Sequence, residues 1–111
     1  MHGPFYSLWE FDIENSAAWL DEARNSLELL KDRDGFLEGH IMHSPDEPLR
    51  YAVEISWVDV GSYRRAIGST LAKMHVWPFL ANMINRPTAL ESLAIVTKIE
   101  TQIFETSLDA D

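Results

Sequence analysis

The sequence contains no cysteine. That absence removes disulfides, thiolate nucleophiles, thiolate-ligated zinc and iron–sulfur clusters in one step. Basic residues are scarce: Lys and Arg total 9 against 18 Asp and Glu, a formal net charge of −9. Phosphate backbones and anionic lipid surfaces would repel such a chain, so neither nucleic acid nor membrane is an expected partner. No apolar run approaches the roughly 18 residues of a transmembrane helix. The start, Met1-His2-Gly3-Pro4, lacks the basic and apolar stretches of a signal peptide. A soluble cytoplasmic protein is therefore expected. The sequence shows no repeat, low-complexity tract or linker, and no HExxH, P-loop, GxGxxG or nucleophile-elbow pattern.

What is present suits one small domain spanning residues 1–111. Its acidic end, from about residue 105, is expected to fray. At 46% hydrophobic the chain can bury a core, but its surface-to-volume ratio is high and pairing with a second copy would help. Aromatics make up 11% of the chain and include four Trp, whose large rings need a core, a pocket or an interface.

Tyr6 to Ile13 is aromatic-rich and alternates, which predicts a strand with Ser7, Trp9, Phe11 and Ile13 on one face. Asn15 or Ser16 is placed to cap a helix. In that helix Trp19, Leu20, Ala23, Leu27 and Leu30 form an apolar stripe that stops near Asp32, before Gly35. Phe36 to His43 reads as a second strand. Ser44-Pro45-Asp46-Glu47-Pro48 then turns the chain into a third, Leu49 to Val58. Tyr51, Val53, Ile55 and Trp57 share one face of that strand. Asp59 can cap the next helical region, which runs from Val60 to about Asn85. Gly68 and Pro78 divide it into two or three short pieces. Leu93 to Phe104 alternates and is expected to form a long fourth strand. The order β-α-β-β-α-β is the ferredoxin-like unit of an α+β domain: a four-stranded antiparallel sheet with both helical segments on one face. Apolar residues on the other face call for a cover, most simply a second subunit's sheet.

Several segments resemble a known family. Asp34-Gly35-Phe36-Leu37-Glu38-Gly39 resembles the Pro-Gly-aromatic-Leu-x-Gly signature of antibiotic biosynthesis monooxygenase domains. Glu54-Ile55-Ser56-Trp57, followed by Ser62-Tyr63-Arg64-Arg65-Ala66, resembles that superfamily's Trp-ended strand and the helix after it. Leu71-Ala72-Lys73-Met74-His75 and Arg86-Pro87-Thr88-Ala89 continue the match along nearly the whole chain. The resemblance implies a homodimer closed into an α/β barrel, with a pocket in each subunit between sheet and helices. Its members include oxygenases of polycyclic aromatics that use neither metal nor flavin, heme-degrading oxygenases, and proteins without known activity. The fold alone does not choose among these.

The leading expectation is a cofactor-independent oxygenase of small aromatic compounds. Ser7, Trp9, Tyr63 and His75 are its candidate catalytic donors or base; Arg64, Trp57 and Trp77 are its candidate substrate-binding residues. The protein would need an apolar cavity, a donor for developing oxyanion charge, and exclusion of water. The resemblance also makes His75 a candidate heme ligand. However, the Asn and Trp that accompany that ligand in heme-degrading relatives fall here on Ser7 and Ala66, which argues against heme degradation. Each residue has a plainer reading. His75 is then an exposed helix histidine, and the tryptophans are core. Arg64 and Arg65 form surface salt bridges worth little. Trp77-Pro78-Phe79 is a wedge at a helix break that can roof a pocket or plug a dimer seam. His40 and His43 face opposite ways on a strand, and a Glu38–His40 pair lacks the further ligands a metal needs. No metal is expected. A non-catalytic dimeric module for a small apolar ligand is the third expectation.

Overall fold

A computed structural model describes residues 1–106. Most of the expected acidic tail, residues 107–111, lies outside the described residues. The chain runs β1 (Phe5–Asp12), α1 (Ser16–Leu30), β2 (Phe36–His43) and β3 (Arg50–Trp57). It continues with α2 (Val60–Ile67), α3 (Thr70–His75), α4 (Trp77–Leu80), β4 (Ala89–Glu91), β5 (Ala94–Val96) and β6 (Thr101–Ile103). Four strands pair antiparallel in the order β2-β3-β1-β4, the arrangement expected of a ferredoxin-like α+β fold.

Alternation along the strands decides which face is dry. Phe5, Ser7, Trp9 and Phe11 of β1 are buried, as are Val53, Ile55 and Trp57 of β3. The helices cover this face. Trp19, Ala23, Ser26 and Leu30 of α1 recur at spacings of three and four and are buried as well. Asn15 occupies the N-cap of α1, but its side chain makes no capping bond. Asp59 does cap α2, accepting the Ser62 N–H at 2.7 Å. Two glycines fix how α1 joins the sheet. Gly35 takes φ +87°, a conformation costly for other residues. Gly39 lies under Leu27, where an added Cβ would meet the Leu27 Cδ2 at 2.6 Å.

The second helical region breaks into three short helices, as Gly68 and Pro78 suggest. Val76 both ends α3 and starts α4.

The fourth strand differs from expectation. The sheet is completed by Ala89–Glu91, while Leu93 to Phe104 folds into a separate hairpin of β5 and β6. Thr97 is the reason. Its hydroxyl accepts the N–H groups of Ile99 at 3.2 Å and Glu100 at 3.1 Å, and its own N–H reaches the Glu100 carbonyl at 2.8 Å. That local turn competes with the extended ladder and wins.

The opposite sheet face carries Tyr6, Leu8 and Glu10 of β1, Arg50, Ala52 and Glu54 of β3, Met42 of β2 and Leu90 of β4. The described helices leave it open. On it Arg50 binds Asp12 at 2.9 Å, Glu47 at 3.4 Å and Glu10 at 3.5 Å. No described helix is long and apolar enough to cross a membrane.

Candidate small-molecule cleft between the helices

The residues singled out in the sequence fall into two groups. The first packs between sheet and helices, with Ser7, Trp9 and Trp57 buried and Tyr63 half-buried at its edge. The indole N–H of Trp57 donates to the Ser7 hydroxyl at 3.3 Å. Tyr63 packs its ring 5.9 Å from Trp57 and 5.0 Å from Phe5, and Phe36 closes the far side of Trp57 at 5.5 Å. Trp9, two positions along the same face, is also buried. Ser7 and Trp57 have no accessible surface and Trp9 has 1%, so in this conformation none of the three can touch a substrate. Where a pocket was expected between sheet and helices, aromatic rings fill the layer around Ser7 and Trp57.

The second group lies outside that layer. A cleft of about 680 Å³ runs between α1 and the α3–α4 pair. Helical periodicity aims Glu22, Asn25, Ser26 and Leu29 of α1 into one wall. The other wall is Met74, His75, Pro78, Phe79 and Asn82. Pro78 interrupts the regular helix here, and the break sets α4 apart from α3. The apolar surface comes from Leu29, Met74, Pro78 and Phe79. His75 is exposed at the end of α3 and supplies the one imidazole. Asn25 and Asn82 supply amides able both to donate and to accept. The charged residues lining the cleft are Glu22 and Glu28. Glu28 pairs with Lys31 at 2.6 Å, and this bond holds the Lys31 ammonium above its ordinary range.

Two expected binding residues point elsewhere. Trp77 donates its indole N–H to the Ile67 carbonyl at 2.8 Å, closing the end of α2, and the Lys73 ammonium sits 5.6 Å from its ring. Arg64 is exposed on α2. Its neighbour Arg65 donates to Ser62 at 3.3 Å beside a small polar cleft of about 260 Å³ shared with Asp32, Arg33 and Asp34.

The cleft suits heme poorly. It offers one imidazole, but its charged lining residues are Glu22 and Glu28, and no Lys or Arg among the described residues lines it to hold propionates. His40 and Glu38 do meet, at 3.0 Å, yet no group of three or more His, Asp or Glu suited to a metal occurs among the described residues.

The sequence singled out His75, which lines the cleft, but none of the α1 residues of the facing wall. The available signal was Ser26, a polar residue set into the buried stripe of that helix.

No family model matches the chain, and no curated protein matches it. Solved structures do. SnoaB, a cofactor-independent oxygenase from Streptomyces nogalater, superposes with a TM-score of 0.64 at 13% identity, covering 99% of this chain and 98% of its own. An antibiotic biosynthesis monooxygenase superposes with a TM-score of 0.63 at 14% identity over 83% of this chain and 99% of its own. A conserved protein from Methanosarcina mazei gives 0.64 at 13% identity over 82% and 90%. The chain thus has the ferredoxin-like fold of antibiotic biosynthesis monooxygenase structures, matched across most of its length. Identities this low establish the fold alone.

Proposed function

We propose that the chain is a cytoplasmic, homodimeric, cofactor-independent oxygenase of small aromatic compounds, with the substrate seated in the cleft beside His75. The observation that carries this reading is the cleft itself. Its volume of about 680 Å³ falls in the usual range for small-molecule sites. It joins an apolar wall to one accessible base. Sharing a fold with a cofactor-independent oxygenase supports the reaction type.

The chemistry asks for an acidic C–H or phenolic O–H on the substrate. His75 accepts that proton. The resulting carbanion passes one electron to dioxygen, and the radical pair closes to a substrate peroxide. The peroxide takes the proton back from the imidazolium and loses water. A methylene thus becomes a carbonyl, and one dioxygen yields the carbonyl oxygen and one water. Asn25 and Asn82 donate hydrogen bonds to the oxyanion as it develops. In this reading the buried Ser7, Trp9 and Trp57 support the fold and touch no substrate, and Tyr63 lies outside the residues lining the cleft. The dimer forms through the open sheet faces, burying Tyr6, Leu8, Ala52, Met42 and Leu90.

Oxygen uptake by metal-free protein with a hydroxyanthrone tests the reading. The expected result is turnover above the uncatalysed rate, falling by about 100-fold or more in His75→Gln, the usual worth of a general base. Turnover unchanged in that variant would remove His75 from the mechanism.

A second reading is a binding module without catalysis, favoured by the inaccessibility of Ser7, Trp9 and Trp57. Saturable aromatic binding with oxygen uptake no faster than in buffer would select it.

A further inference from the structure

The cleft beside His75 carries charge of one sign. Glu22 and Glu28 are its charged lining residues, and no Lys or Arg among the described residues lines it. The two carboxylates are not equivalent. Lys31 answers Glu28 at 2.6 Å, whereas Glu22 has no ion pair among the described residues. Asp21, the neighbour of Glu22, is taken by Arg24 at 3.1 Å. Glu22 is thus the carboxylate of the cleft whose charge is left for a ligand.

A second observation comes from Ser26. It stands one helical turn beyond Glu22, so the two side chains lie on the same side of α1. Ser26 is only 2% exposed, yet it lines the cleft, and its hydroxyl has no hydrogen-bond partner among the described residues. Polar groups set into a core are ordinarily paired, and an unpaired one calls for a physical reason. Here the hydroxyl borders a cavity, beside a carboxylate that is also unpaired.

We infer that the cleft takes aromatic compounds carrying a protonated primary amine. Leu29, Met74, Pro78 and Phe79 seat the ring. The ammonium donates to the Glu22 carboxylate and to the Ser26 hydroxyl. This names the substrate class of the oxygenase site proposed above and rests on that reading. It also answers a difficulty in that chemistry. When His75 takes its proton, the substrate gains negative charge near carboxylates, and like charges oppose the ionisation. A substrate that brings its own ammonium offsets that repulsion. An aromatic acid adds to it.

Titration calorimetry with three probes of similar shape tests the inference: naphthylmethylamine, naphthylmethanol and naphthoic acid. The amine should bind at least about five-fold more tightly than the alcohol, the upper worth of an exposed ion pair, and the acid should not bind. The advantage should shrink as salt is raised and disappear in Glu22→Gln. Ser26→Ala should weaken the amine with the near-UV circular dichroism retained. Asp21→Asn removes one charge from the same helix outside the cleft and should leave the preference intact. An equal loss in Asp21→Asn and Glu22→Gln overturns the inference, since the net charge of −9 would then be what attracts the amine. Equal binding of amine and alcohol, with oxygen uptake on a hydroxyanthrone, overturns the ligand class and leaves the oxygenase standing. An amine preference lost in Glu22→Gln, with no oxygen uptake on any substrate, upholds the ligand class and removes the oxygenase. Binding of none of the three probes overturns the ligand class.

Discussion

Trp57 and Ser7 form a sealed pair, one indole N–H on one hydroxyl at 3.3 Å, both without accessible surface. Removing the hydroxyl leaves a buried donor unpaired. Ser7→Ala should therefore destabilise the fold by about 1–3 kcal/mol, measured by urea unfolding. Trp19 offers the internal control, since its buried indole N–H has no partner among the described residues. Trp57→Phe should cost about 1 kcal/mol more than Trp19→Phe, the usual net worth of one hydrogen bond. Equal costs would show that the Ser7 bond contributes nothing.

Gly39 and Gly35 should respond differently to a methyl group. At Gly39 the obstacle is the end of the Leu27 side chain, so Gly39→Ala should cost about 1–3 kcal/mol and be relieved in a Leu27→Ala background. At Gly35 the obstacles are the positive φ and the Ser62 side chain, and Leu27→Ala should give no relief. A double-mutant cycle read by thermal unfolding separates the two cases.

Asp59 caps α2, and the bond from the Ser62 N–H, followed by that from its hydroxyl, holds the carboxyl below its ordinary value of 3.8. A depressed carboxyl stabilises the fold above its unfolded pKa and loses that contribution as pH falls through the folded value. Asp59→Ala should cost about 1 kcal/mol at neutral pH. Asp59→Asn should retain most of the capping and flatten this part of the acid limb. Parallel acid-unfolding curves for wild type and Asp59→Asn would remove the ionised cap from the account.

His40 lies beside Glu38, whose hydrogen bond and then whose charge raise the imidazole above 6.5. The sign is opposite to that of Asp59. The contribution is complete below the unfolded value and fades as pH rises through the folded one. Both groups are exposed, so the effect belongs to titration rather than to measurable stability. An NMR titration should place His40 above His40 in Glu38→Gln; coincident curves would show that the pair does not form in solution.

Heme titration should give no Soret band that depends on His75, because the charged residues lining the cleft beside it are the carboxylates of Glu22 and Glu28, which cannot hold propionates. A saturable band lost in His75→Ala would reverse that assignment.

Much of this was legible in the chain. β2 is marked by the turn residues that bracket it, and the buried stripe of α1 by its three-and-four spacing. The hairpin hidden in Leu93 to Phe104 was not, because its alternation fits one strand as well as two. Only the Thr97 hydroxyl, closing on Ile99 and Glu100, reveals the turn. Nor could the sequence tell a lined cavity from a filled one. Trp9 and Trp57 sit on the expected face, yet it takes three-dimensional packing to show Phe36 and Tyr63 stopping the gap. Asn25 and Asn82 were invisible for another reason. They come from segments far apart in sequence, and only the break at Pro78 brings them to one cleft.

The central place of β1 has a consequence for the order of assembly. Strands β2 and β3 are neighbours in sequence and can zip locally, His43 reaching the Pro48 carbonyl only 5 positions away. β1 finds its partner much later: Asp12 meets Arg50 across 38 positions and Ser7 meets Trp57 across 50. As the chain leaves a ribosome, its first strand must wait, aromatic and unpaired, until the third has emerged. Closing that long loop costs more chain entropy than zipping β2 onto β3. Until it happens, Trp9 and Phe11, buried in the folded chain, lack the β3 side of their cover.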